Sequence, residues 1–283
     1  MKRFTEILVA TNLTDRSQRA VERALQLQAT TGAALTVLHV IKPGLPTQIA
    51  SQRHKEAEAL LRDQLQDLSP QPSRLFTAVV GETFIAITQE AAKRRADLIV
   101  IGEPPRYRYE DSFIGTTAER VIRFSDRPVL VVKRASHETY SRVLVPFDMS
   151  EGATRALETA LKMAPAADFR VVHAWWKPMG SLSAVEEQQT AIRDENDRVK
   201  AQIRSLVDQV GRPALDPPQP PKLTIDLIED NPYLVMRNVI AWPDLLAIGT
   251  HAKGRLAVSP IGKLARHLLV EASCDVLVAP PEL

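Results

Sequence analysis

Asp97-Leu98-Ile99-Val100-Ile101-Gly102 reads as a buried strand opened by an acid and closed by a glycine. The pattern returns 147 positions later as Asp244-Leu245-Leu246-Ala247-Ile248-Gly249. At the same offset Gly115 recurs as Gly262, and Val129-Leu130-Val131 recurs as Val276-Leu277-Val278. Nearer the front, residues 7–15 (Ile-Leu-Val-Ala-Thr-Asn-Leu-Thr-Asp) are echoed by residues 143–151 (Val-Leu-Val-Pro-Phe-Asp-Met-Ser-Glu), now 136 positions apart. A repeat of this length is a whole domain rather than a solenoid unit. The 11-residue change of offset places an insertion inside the second copy.

Working outward, apolar β-rich runs alternate with helical patterns. In the first half, strands are expected over residues 7–11, 35–41, 75–80, 98–101 and 128–132. Helices are expected from Ser17 and over residues 56–68, 83–95 and 116–124. The second half repeats the order, with strands near 143–147, 169–175, 223–228, 245–248 and 276–278. Its insertion lies around the second helix, where the long charged stretch 186–210 is followed by a proline-rich connection over 211–221. Continuous apolar strands between helices imply a sheet covered on both faces. The expected class is α/β: two tandem domains, residues 1–135 and 141–283, each an open five-stranded, mostly parallel sheet with helices on both faces. Lys133 to Arg142 reads as the linker.

The chain has 283 residues, enough for two cores. Its hydrophobic and charged fractions, 45% and 25%, are those of a globular protein, and a net charge of +2 gives no sign of a nucleic-acid partner. The single cysteine, Cys274, excludes an intrachain disulfide framework and a cysteine metal cluster, and is expected to pack beside the last strand. The N-terminal residues lack a signal-peptide apolar region, and no run is long enough to span a bilayer. A cytoplasmic protein without membrane contact is expected.

In such a sheet ligands bind at the carboxyl ends of the strands where the order reverses. The loops leaving the first and fourth strands are therefore the candidates. The fourth-strand loop runs from Gly102 to Gly115 and enters a helix at Thr116-Thr117. That helix start suits a phosphate, and serves equally as an ordinary cap. His39 and His173 occupy equivalent points near the end of the second strand and read first as structural. His251, Lys253 and Arg255 form either an anion-facing set or an exposed polar loop. Arg106-Tyr107-Arg108-Tyr109 carries a weaker base-stacking pattern, and Trp175-Trp176 reads as core or contact residues. No P-loop lysine motif, nucleophile elbow or metal-binding helix signature is present.

The order of these pieces resembles the universal stress protein family over nearly the whole chain, twice, in the manner of its tandem two-domain branch. The resemblance rests on residues 7–15 and 143–151, on the two Asp-Leu-x-x-Ile-Gly strands, and on the endings from Gly115 to Val132 and from Gly262 to Val278. It implies a Rossmann-like, adenine nucleotide alpha hydrolase-like fold. It also implies an internal pseudo-two-fold dimer paired through Val129–Val132 and Val276-Leu277-Val278; further homodimerisation is left open. ATP-binding members carry an aspartate after strand 1 and a Gly-x2-Gly-x9-Gly-Ser/Thr pattern. Against it, the first half matches at Gly102, Gly115 and Thr116, but has Pro105 and Asn12. The second matches at Asp148, Gly249 and Gly262, but has Ala252 and Lys263. Pro105 lacks an N–H, and the Cβ of Ala252 restricts close anion approach. Asn12 loses a carboxylate charge, while Lys263 offers either a cation for phosphate or a solvated surface side chain. ATP or AMP in at most one domain, more readily the second, is the resulting expectation, with no catalysis. A slow ATP-hydrolysing switch and a ligand-free interaction scaffold are the rival readings.

Overall fold

A computed structural model describes residues 4–44, 74–104, 115–135, 138–175, 185–211, 221–250 and 261–282, with scattered positions between 48 and 59. The first half builds β1 (Glu6–Thr11), α1 (Asp15–Thr31), β2 (Ala34–Ile41), β3 (Arg74–Val80), α2 (Thr83–Lys93), β4 (Leu98–Gly102), α3 (Thr117–Phe124) and β5 (Val129–Val132). The second builds β6 (Arg142–Pro146), α4 (Glu151–Met163), β7 (Asp168–Trp175), α5 (Val185–Gly211), β8 (Leu223–Glu229), α6 (Pro232–Val239), β9 (Leu245–Gly249), α7 (Lys263–Glu271) and β10 (Asp275–Ala279). Contacts divide the chain between Thr139 and Tyr140. Most of the helix expected over 56–68, and the proline-rich stretch, lie outside the described residues.

Strand order is β3-β2-β1-β4-β5 in the first half and β10-β9-β6-β7-β8 in the second. Every described pair within each half is parallel. The order reverses beside β1 in one half and β6 in the other, which puts the ligand-binding edge at the loops after β1/β4 and β6/β9. The central strands are apolar because both faces are covered: Ile7, Leu8, Val9, Leu98, Ile99 and Val100 have no exposed surface. Each such side chain contributes about 1.5–3 kcal/mol relative to exposure. Cys274 is buried directly before β10.

The acid that opens the repeated strand motif is a strand clamp. Asp97 Oδ2 accepts the Thr5 N–H (2.6 Å), the Thr5 hydroxyl (2.8 Å) and the Glu6 N–H (3.2 Å) at the entry to β1. Asp244 does the same for the N–H and hydroxyl of Ser141 and the N–H of Arg142 at the entry to β6. A carboxylate has enough lone pairs for three donors, which no apolar residue could satisfy there.

α1 begins two residues before Ser17, at Asp15. Ser17 is drawn into the preceding turn instead of opening the helix, for reasons given below. The long charged stretch of the second half forms α5, about 40 Å long at 1.5 Å per residue. Val199, Ile203, Val207 and Val210 are its buried stripe, and it packs against α4.

Candidate ligand-binding site

The turns leaving β1 and β6 share one backbone device. Leu13 has φ of 63° and its repeat counterpart Met149 has 64°. A left-handed conformation costs such residues about 1–2 kcal/mol, so both turns are held by their surroundings. The preceding polar residue does the holding. Asn12 Oδ1 accepts the N–H (3.3 Å) and hydroxyl (2.7 Å) of Thr14, and Asp148 Oδ1 accepts the N–H of Ser150 (3.1 Å).

The two turns are filled differently. In the first half the Thr11 hydroxyl donates to Ser17 Oγ at 2.9 Å. The same Oγ accepts the N–H groups of Asn12 (3.3 Å) and Thr14 (3.1 Å), and its own proton goes to the Thr14 carbonyl (2.9 Å). Both side chains are buried. The second half has Phe147 and Ala153 at these two places, so the polar knot becomes an apolar wall.

Gly102 and Gly249 end β4 and β9 against the first turn of α1 and α4. A Cβ on Gly102 would stand 2.8 Å from the Arg16 carbonyl oxygen, and one on Gly249 would overlap the backbone of Gly152 and Ala153. Glycine is therefore required here for close packing of strand end on helix start, whatever ligand binds.

The helix starts that follow also diverge. In the first half Gly115 takes φ of 76°, a value that suits glycine, and Thr116 is the N-cap of α3. Thr116 Oγ1 accepts the Glu119 N–H (3.1 Å), while the Glu119 carboxylate accepts the Gly115 N–H (2.9 Å). In the second half the helix opens one residue earlier, with Gly262 as N-cap and no side-chain cap bond. Lys263 and Arg266 stand where the first half has Thr116 and Glu119. An uncapped helix N-terminus carries a partial positive charge, and two cations add to it.

A cavity of about 330 Å3 opens at this edge of the second half. Asp148, Gly249, Gly262 and Lys263 all line it, joined by Phe147 from the turn, Ala153 from α4, Val172 and Ala174 from β7, Met236 from α6, and Leu264 and Leu268 from α7. The four expected second-half residues within the described chain thus converge on one space. Ala252 lies outside the described residues, as do Pro105, residues 106–109, His251, Lys253, Arg255 and Trp176. Asn12, Gly102, Gly115 and Thr116 fall at the corresponding edge of the first half, where Asn12 and Thr116 serve their own turn and cap.

His39 and His173 each direct Nδ1 at the carbonyl that ends or follows the first strand of their half: Thr11 (3.0 Å) and Phe147 (2.7 Å). A carbonyl only accepts, so Nδ1 carries the proton and each ring ties two strand ends together. Two features at this edge were not among the expected site residues: the Thr11–Ser17 knot and the Glu119 carboxylate. The spacing Thr116-Thr117-Ala118-Glu119 is a capping-box signature that would have found the second. Among the described residues no group of acidic, histidine or cysteine side chains could hold a metal ion, and no helix is long and apolar enough to cross a membrane.

Two parallel α/β halves that share a strained strand-to-helix turn, with a cavity at the switch point of the second, define a Rossmann-like fold. The universal stress protein family model matches residues 3–133 and again 139–280, and the chain belongs to that family. A universal stress protein of Methanocaldococcus jannaschii is 27% identical over 145 residues, spanning 48% of this chain and 85% of that protein. Universal stress protein A homolog 1 of Coxiella burnetii is 28% identical over 141 residues, 46% of this chain and 96% of that protein. The crystal structure of a universal stress protein from Archaeoglobus fulgidus superposes with a TM-score of 0.66 at 16% identity, covering 98% of both chains, and shares the fold.

Proposed function

We propose that this chain is a stress-response regulatory protein that binds one small anionic ligand, of the adenine-nucleotide class, in its second domain only, and does not turn that ligand over. The observation that carries the reading is the convergence of Asp148, Gly249, Gly262 and Lys263 on a single cavity of about 330 Å3. Phe147, Val172 and Met236 offer apolar walls for a base, Asp148 a carboxylate for hydroxyl groups, and Lys263 with the start of α7 a partner for phosphate. The described lining has only Asp148 and Lys263 as titratable side chains, with no serine, threonine, cysteine or histidine beside them to serve as nucleophile or proton shuttle.

The first domain does not fit a nucleotide in the same way. Its helix start is engaged by Thr116 and Glu119. The domains are further proposed to pair through Val129–Val132 and Val276-Leu277-Val278, since each apolar strand ends the order in its half. Native mass spectrometry of freshly purified protein with added AMP tests the binding reading. One AMP per chain is expected; two per chain, or none alongside an unchanged melting temperature, would overturn it.

A further inference from the structure

The two helix starts at the ligand edge differ by more than a lost motif residue. Thr116-Thr117-Ala118-Glu119 carries a formal charge of −1, and the equivalent Lys263-Leu264-Ala265-Arg266 carries +2. Position for position, a carboxylate has been set against a guanidinium. The carboxylate is also in use: Glu119 takes the Gly115 N–H at 2.9 Å, while its own N–H is taken by Thr116 Oγ1 at 3.1 Å. In a usual capping box the acid reaches back to the N-cap N–H. Here it reaches one residue further, to a glycine at φ 76°. The equivalent residues Gly262 and Lys263 line the cavity of the second half.

We propose that Glu119 is the residue that restricts the chain to one ligand: its carboxylate stands in the first domain as a built-in anion, holding a backbone donor that a ligand's phosphate would otherwise use and repelling a second negative group. This rests on the proposed binding of AMP-like anions in the second domain. Two effects act together. The donor is occupied by a group tethered to the same helix, at a high effective concentration that a free ligand must displace. The fixed negative charge also cancels the favourable helix-start potential. The second half has Arg266 at the same place, a cation where the first half has a carboxylate.

AMP stoichiometry and affinity, read by native mass spectrometry and calorimetry on the full chain, decide the matter with a reciprocal pair of variants. Glu119→Ala is expected to bind a second AMP, and Glu119→Gln, which keeps an acceptor but not the charge, to bind it more weakly. Arg266→Glu is expected to weaken the second-domain site at least tenfold, with Arg266→Gln weakening it less. A folded Glu119→Ala chain that takes up no AMP beyond the wild-type stoichiometry overturns the proposal. If that variant fails to fold, an Arg266→Glu chain that binds AMP as the wild type does overturns it instead. A wild-type chain that binds no AMP defeats the binding reading alone; one AMP gained by Glu119→Ala in that case still supports the role of Glu119.

Discussion

The Thr11 hydroxyl donates to Ser17 Oγ at 2.9 Å inside a buried turn whose repeat counterpart holds Phe147 and Ala153. One turn is closed by its own polar groups and the other by apolar surface that also lines a cavity. The same backbone, with φ near 63° at Leu13 and 64° at Met149, thus carries a polar turn in one half and an apolar, cavity-lining one in the other.

Ser17→Ala removes the acceptor shared by Thr11, Asn12 and Thr14. Leaving these groups unpaired costs on the order of 1–3 kcal/mol. Urea denaturation should show the first domain losing that stability; an unchanged midpoint would mean that the knot holds nothing together.

Gly249→Ala forces a Cβ into the backbone of Gly152 and Ala153. Overpacking of this kind costs roughly 1–3 kcal/mol or more, because neither strand nor helix start can yield freely. A lower melting temperature is expected even without ligand. Destabilisation that appears only in the AMP-bound protein would instead assign the glycine to ligand contact alone.

Asp244→Ala strips the acceptor for Ser141 and Arg142 at the entry to β6. A loss on the order of 1–3 kcal/mol is expected in chemical denaturation, with Asp244→Asn recovering part of it. Amide exchange at residues 141 and 142 should quicken; protection equal to the wild type would show that the strand entry is held by other contacts.

Much of this architecture is legible in the chain. The apolar runs and their 147-residue recurrence announce two five-stranded sheets, and Asp148, Gly249, Gly262 and Lys263 can be picked out before their meeting place is seen. The function of Asp97 is not legible, because its partner Thr5 lies 92 residues away. Neither are the left-handed turns, since leucine and methionine give no local sign of positive φ. Ser17 reads as a helix opener because serine favours that role; tertiary packing against Thr11 claims its hydroxyl, and α1 starts at Asp15 instead.

Glu158 on α4 has its carboxyl raised above the ordinary value, chiefly by burial, with Lys162 opposing, Glu282 reinforcing and Arg155 opposing. A raised acid pKa means the folded state binds the proton more tightly than the unfolded chain. Its contribution is fully present below the ordinary carboxylate value of 4.5 and is lost as pH rises through the higher folded value. Glu158→Gln should therefore melt at a higher temperature than the wild type near neutral pH, the gap closing as pH falls below that window. A gap of constant size across the titration would remove ionisation of Glu158 as its cause.

Backbone amide shifts of the full chain, followed by NMR as AMP is added to saturation, test single-domain binding most directly. Changes are expected at residues 146–153, 249 and 262–268, while residues 11–17 and 115–119 stay unmoved. Saturable shifts of similar size at Asn12, Gly115 and Thr116 would contradict the assignment of ligand binding to the second domain alone.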